Sequence, residues 1–195
     1  MKQIVTVVIT AFTMATTQAQ KQHEIMEVVA VDSSRTAQDL YTTAKRWFVD
    51  TFGDSREVIH LDDPANHTIV GKGAFKFDTH IFLGSATRKG YFHYTLAVEC
   101  KDGRYRVRMY DFDHKGSANV SSTGYYPAHD MGILYDGDTC VVEFRKKQVK
   151  FGRRVCTEEV WPQVLLNERT LLNSLEQAMK AKETASPKTP VSSDW

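Results

Sequence analysis

Asp102-Gly103 stands between two β-rich runs, Tyr91–Lys101 and Arg104–His114, and no other feature of the chain restricts its fold as tightly. A two-residue hairpin loop asks for positive φ at both central positions, a demand that Asp-Gly meets well. It also sets a register. Cys100 then faces Tyr105, Val98 faces Val107 and Leu96 faces Met109, while Glu99 meets Arg106, Ala97 meets Arg108 and Thr95 meets Tyr110. Side chains alternate along a strand, so the first set makes an apolar face and the second a polar one with an opposed charge pair. A slip of one residue would scramble both faces.

Further elements assemble around this hairpin. Glu24–Val31 is a β-rich run ended by Asp32-Ser33-Ser34. Thr36 and Asp39 have the spacing of a capping box, and Leu40, Tyr41, Ala44, Trp47, Phe48 and Thr51 follow as one helical stripe that stops at Gly53. Glu57–Leu61 reads as a short strand with Ile59 and Leu61 on one face. Asp62–Asn66 is a turn in which Asn66 tolerates a left-handed backbone. In the next strand, Thr68–Phe77, Gly71 and Gly73 mark a bulge or a close backbone approach. Lys115–Asp138 lacks periodicity and reads as a long loop. Thr139–Phe144 and Gln148–Val155 are expected to form a second hairpin turning at Lys146-Lys147. A last helix is expected from Trp161 toward Lys182, its stripe made of Leu165, Leu172, Leu175 and Met179 with Val164, Leu171 and Ala178 in support. This order gives an α+β fold: an antiparallel sheet with helices packed on one face.

The N-terminus reads as an address. Lys2, an apolar stretch from Ile4 to Ala15, and small residues at Thr17 and Ala19 have the pattern of a secretory signal peptide cleaved after Ala19. The expected location is periplasmic or extracellular. No later stretch reaches a membrane-spanning length. The whole chain has 25 Lys+Arg and 24 Asp+Glu, and loss of Lys2 leaves 24 of each. Such neutrality opposes a nucleic-acid partner, which calls for a basic excess. Cys100, Cys140 and Cys156 allow one disulfide plus a free thiol, or three buried thiols. Cys100 belongs to the inward face of its strand, and Cys140 with Cys156 is the pair to consider for a bridge. Thr184–Trp195, with its prolines and serines, is expected to be a disordered tail.

The runs VIHLDD and TIVGKG, then YFHYTLAVECKDGRYRVRMYDFDH, then a terminal helix with Trp161 and Met179, resemble a secreted bacterial family. That family is known only as a domain of unknown function with a TATA-binding-protein-like (TBP-like) fold. The resemblance implies a β-α-β4-α arrangement with a curved sheet. Residues 20–183 would form one such domain, with 115–156 as a loop or hairpin insertion. It supplies no activity and no catalytic residues, and a shared fold does not transfer a ligand.

The residues themselves offer little enzymatic chemistry. Gly71-Lys72-Gly73 lacks phosphate-loop spacing, and no nucleophile elbow or Cys-His signature occurs. No motif calls for a cofactor. Asp111-x-Asp113-x-x-Gly116 begins like a calcium loop, but Lys115 and Ser122 stand where oxygen ligands belong. Asp111, Asp113, His114 and His129 are the metal candidates, near Asp130, Asp136 and Asp138, and would serve a metal-dependent enzyme or metal-binding protein as the alternative reading. The first reading is a binding module. Arg104, Arg106 and Arg108 alternate along one strand, and Tyr91, His93 and Lys72 share their face. Basic groups among aromatics suit an envelope protein, a peptide or a glycan. Arg145, Lys146, Lys147, Lys150, Arg153 and Arg154 form a second basic run.

Overall fold

The computed structural model describes residues 20–53, 55–79, 88–121, 124–141 and 149–181. The signal segment, the tail from Thr184, and Arg145, Lys146 and Lys147 lie outside these residues.

The main sheet is antiparallel throughout, in the order β1-β5-β4-β3-β2. Its strands are β1 (Ile25–Ala30), β2 (Ile59–Asp63), β3 (Thr68–Phe77), β4 (Gly90–Lys101) and β5 (Arg104–Gly116). The β4–β5 register is the one that the Asp-Gly turn dictates, from Cys100↔Tyr105 to Thr95↔Tyr110. The turn chemistry differs in one respect. Gly103 alone is left-handed (φ 68), and Asp102 is not. Asp102 is instead committed to the helix beside it: its Oδ1 accepts from the Ala37 N–H at 2.7 Å. The Gly103 N–H donates to the Arg35 carbonyl at 2.9 Å.

That helix, α1 (Ala37–Phe52), has the full capping box. Asp39 N–H donates to Thr36 Oγ1, and Thr36 N–H donates to the Asp39 carboxylate. Leu40, Tyr41, Ala44, Trp47 and Phe48 are buried against the sheet, and Gly53 (φ 78) ends the helix. α1 links β1 and β2, which occupy opposite edges, and therefore crosses the whole face. Gly71 permits close contact, since a Cβ there would lie 2.7 Å from the Phe48 ring. Burial of each large apolar side chain in this layer contributes roughly 1.5–3 kcal/mol, before the entropy cost of ordering it.

A four-residue helical turn, α2 (Ser55–Val58), precedes β2. β2 corrects one expectation: a register shift between Ile59 and Leu61 separates their faces. Ile59 packs on the core, whereas Leu61 is 48% exposed. In the following turn the left-handed residue is His67 (φ 50), not Asn66, because the Asn66 amide and N–H both bind the Asp63 carboxylate.

The largest corrections fall after β5. Residues Lys115–Asp138 are not one loop. β5 runs on to Gly116, Asn119–Ser121 (β6) pairs with Gly124–Tyr126 (β7), and Gly132–Ile133 (β8) joins the β5 edge. The expected hairpin at 139–155 is absent as well, because Val149–Val155 is helical (α3). Its helix passes through a π turn, Cys156–Val160, into α4 (Trp161–Lys180). A disulfide joins Cys140 to Cys156, while Cys100 is a buried free thiol that burial pushes up to about 12. On α4 the inward residues are Val164, Glu168, Leu172, Leu175 and Met179; Leu165 is 40% exposed. Among the described residues no helix is long and apolar enough to cross a membrane.

Candidate binding site on the open sheet face

Both long helices lie on one side of the sheet, so the other side is available to a ligand. Strand alternation places Lys72, Tyr91, His93, Arg104, Arg106 and Arg108 together on that open face. They do not form one compact site. Arg106 sits opposite Glu99, and Tyr91 is eight residues further along β4. At about 3.3 Å per residue that is roughly 26 Å, so only an extended ligand touches all six.

Pairing divides the arginines. Arg106 is ion-paired to its cross-strand neighbour Glu99. Arg108 Nη2 donates to Glu24 Oε2 at 3.0 Å, and its guanidinium lies 4.3 Å from the Tyr110 ring centre. The bond from Arg108 holds Glu24 below the usual carboxylate range. Arg104 has no acid partner among the described residues. With Arg106, Val28 and Lys101 it borders a cleft of about 240 Å³ at the turn end of the hairpin.

A second cleft, of about 500 Å³, forms where β5 bulges. Between the pairs Thr95↔Tyr110 and His93↔Asp113, Tyr94 alone on β4 faces two residues, Asp111 and Phe112. Asp111 takes the left-handed conformation (φ 55) while Phe112 turns into the core. Lys72, His93, Thr95, Asp111, Asp113 and Ile133 line the cleft. Lys115 Nζ neutralises Asp113 at 2.9 Å. Lys72 and Asp111 have no ion-pair partner among the described residues, so the cleft offers one free charge of each sign.

The metal candidates do not converge. His114 is fully buried against Phe77 and Phe92, and its Nδ1 accepts from the Met131 N–H at 3.2 Å. Burial lowers its pKa to about 4. Asp130 receives the Gly116 N–H at 2.8 Å, and Arg153 Nε pairs with Asp138 at 2.6 Å. Among the described residues no three His, Cys, Asp or Glu side chains form a metal-holding group. Of the second basic run, Arg154 pairs with Glu158 within its own helix.

Sequence reasoning overlooked one constellation. His23 Nδ1 lies 2.7 Å from Asp136 Oδ1, and its Nε2 lies 2.6 Å from Glu168 Oε1. The ring packs against Phe112 and Trp161. Desolvation lowers the His23 pKa, but hydrogen bonds and charge from Glu168 and Asp136 outweigh it, and the net shift is upward. Both ring nitrogens are occupied, so the triad is a fastener between the N-terminal segment and α4. Its sequence signal was Glu168, one turn from both Val164 and Leu172 on the inward stripe.

Comparison with known proteins agrees with this architecture. No curated protein matches the chain. A TBP-like protein from Parabacteroides distasonis is similar in structure, with TM-score 0.52 and 10% identity over 80% of this chain and 93% of that one. A DUF4468 family protein from Bacteroides ovatus has TM-score 0.47 and 15% identity over 84% of this chain and 89% of that one. Residues 26–115, the stretch from β1 through β5, match the profile of a domain of unknown function (DUF4468) with TBP-like fold.

Proposed function

We propose that this chain is an exported, non-enzymatic binding module that holds an extended polar ligand of the cell envelope on its open sheet face. The observation that carries the reading is the placement of Lys72, Asp111 and Arg104, which have no ion-pair partner among the described residues, on the sheet face that the long helices leave uncovered. Unpaired charges of both signs favour a peptide over a neutral glycan, because each can meet a complementary group along an extended backbone. Val28, 64% exposed beside Arg106, adds an apolar contact of the kind peptide grooves use. Export is supported by the N-terminal pattern through Ala19 and by the Cys140–Cys156 bridge, since disulfides persist in oxidising compartments.

The test is a peptide array beside a glycan array, probed with the mature chain. Peptide hits should weaken at least tenfold in a Lys72→Ala/Arg104→Ala/Asp111→Ala variant whose circular dichroism matches the parent. Unchanged binding would sink the reading. Mass spectrometry of the secreted protein should find Gln20 at the N-terminus.

A further inference from the structure

The two edges of the main sheet are built differently. β2, at one edge, shifts register between Ile59 and Leu61 and carries Asp62 and Asp63. A bulge and charged side chains are common means of keeping a sheet edge from pairing with another chain. β1, at the other edge, lacks the bulge. Six consecutive pairs, from Ile25↔Met109 to Ala30↔Arg104, run without a shift. The strand holds no proline, lysine or arginine, and its one charge is Glu27. Met26 is 56% and Val28 64% exposed, so apolar surface accompanies the regular edge.

The backbone of that edge has a fixed phase. Val31 N–H donates to the Gly103 carbonyl at 2.9 Å. By alternation, Ile25, Glu27 and Val29 turn their peptide groups toward β5, and Met26, Val28 and Ala30 turn theirs outward. Among the described residues no strand pairs with that outward side. The same three residues stand opposite Arg108, Arg106 and Arg104, so their side chains belong to the open face. A second copy of β1 meets them best in one register. Antiparallel pairing about a twofold axis at Val28 sets Val28 against Val28, Met26 against Ala30 and Glu27 against Val29. A shift of two residues one way sets Glu27 against Glu27, and like charges directly opposite are destabilising. The opposite shift carries Met26 past the strand end to Asp32, whose carboxylate is held in the turn by Ser34.

We infer that β1 is an interface between two copies of this chain, paired edge to edge about Val28 into one continuous sheet. Residues opposite each other in a sheet point to the same side, so the two open faces merge into a single platform. The inference does not depend on which ligand that platform takes. Analytical ultracentrifugation of the mature chain across micromolar concentrations should show a monomer–dimer equilibrium. Val28→Pro removes an N–H that no bond within the chain uses, and an edge strand tolerates proline there. It should raise the dimer dissociation constant about tenfold or more while the circular dichroism stays that of the parent. Cysteine trapping reads the register. Two Val28→Cys chains have their Cα atoms about 5.5 Å apart on the axis, within disulfide reach, and should cross-link on oxidation. Met26→Cys and Ala30→Cys should cross-link when mixed, and neither alone. Should Val28→Pro fail to fold, the cysteine pattern decides. A chain that stays monomeric throughout, whatever peptides its open face binds, would overturn the inference. So would a dimer in which Val28→Cys does not cross-link.

Discussion

Replacing His23 by alanine removes from Glu168 the one partner that its carboxylate has among the described residues. The Glu168 side chain is 2% exposed, so its charge is left in a low-dielectric interior. Breaking a buried ion pair by deleting one member typically costs about 3–5 kcal/mol, a large share of the 5–15 kcal/mol that holds a domain together. For a domain of this size that corresponds to a Tm lower by roughly 6–20 °C. Calorimetry of His23→Ala at pH 7 measures it directly. A His23→Leu/Glu168→Leu variant, which removes the charge together with its partner, should recover most of the loss. The pH dependence has a definite sign. His23 binds its proton more tightly folded than unfolded, so its contribution is complete below its unfolded value of 6.5. That contribution is lost as pH rises through the elevated folded pKa. Urea titrations between pH 6 and 9 should therefore show wild-type stability declining relative to the Leu/Leu variant. A His23→Ala cost below about 1 kcal/mol, or parallel pH profiles, would refute this account of the triad.

Three further outcomes test the fold around the site. Reduction of Cys140–Cys156, which closes a loop of sequence separation 16, should lower unfolding free energy by about 3 kcal/mol, read as a shift in denaturant midpoint with added dithiothreitol. Gly71→Ala drives a Cβ to 2.7 Å from the Phe48 ring and 3.0 Å from the Val58 carbonyl; thermal melting should show a loss of about 1–3 kcal/mol. Asp102→Ala deletes the acceptor for the Ala37 N–H and should cost about 1 kcal/mol by urea denaturation, with the β4–β5 register intact by NMR.

What could be read in advance follows from the range of the forces involved. The β4–β5 register and α1 rest on neighbouring residues: period-two alternation around Asp102-Gly103, and a capped stripe from Thr36 to Gly53. Residues Lys115–Val155 depend on distant ones. The Gln20 side chain reaches the Asp136 carbonyl, the His23 N–H donates to the Leu134 carbonyl at 2.9 Å, and Cys140 is bonded to Cys156. Gln148–Val155 reads as a strand of a second hairpin, yet Val149–Val155 is part of a helix continuous into α4. Leu61 was misplaced because a bulge changes parity without a marker in composition. The open face itself was legible; its division into two clefts was not. Glu24 and Glu99 neutralise two of the arginines, and the Asp111 bulge makes the larger cleft.

The clasp between Asp102 and α1 bears on how this domain can be engineered. Hairpin tips are customary places to insert tags, epitopes or new termini, because most project into solvent. The β4–β5 tip does not hang free: Gly103 exchanges backbone bonds with both Val31 and Arg35, and Asp102 grips Ala37. An insertion there would unseat the first turn of α1 together with the end of β1. The exposed Pro64–Asn66 turn, held by the local Asp63 carboxylate and the neighbouring Thr68 hydroxyl, is the better port for a label.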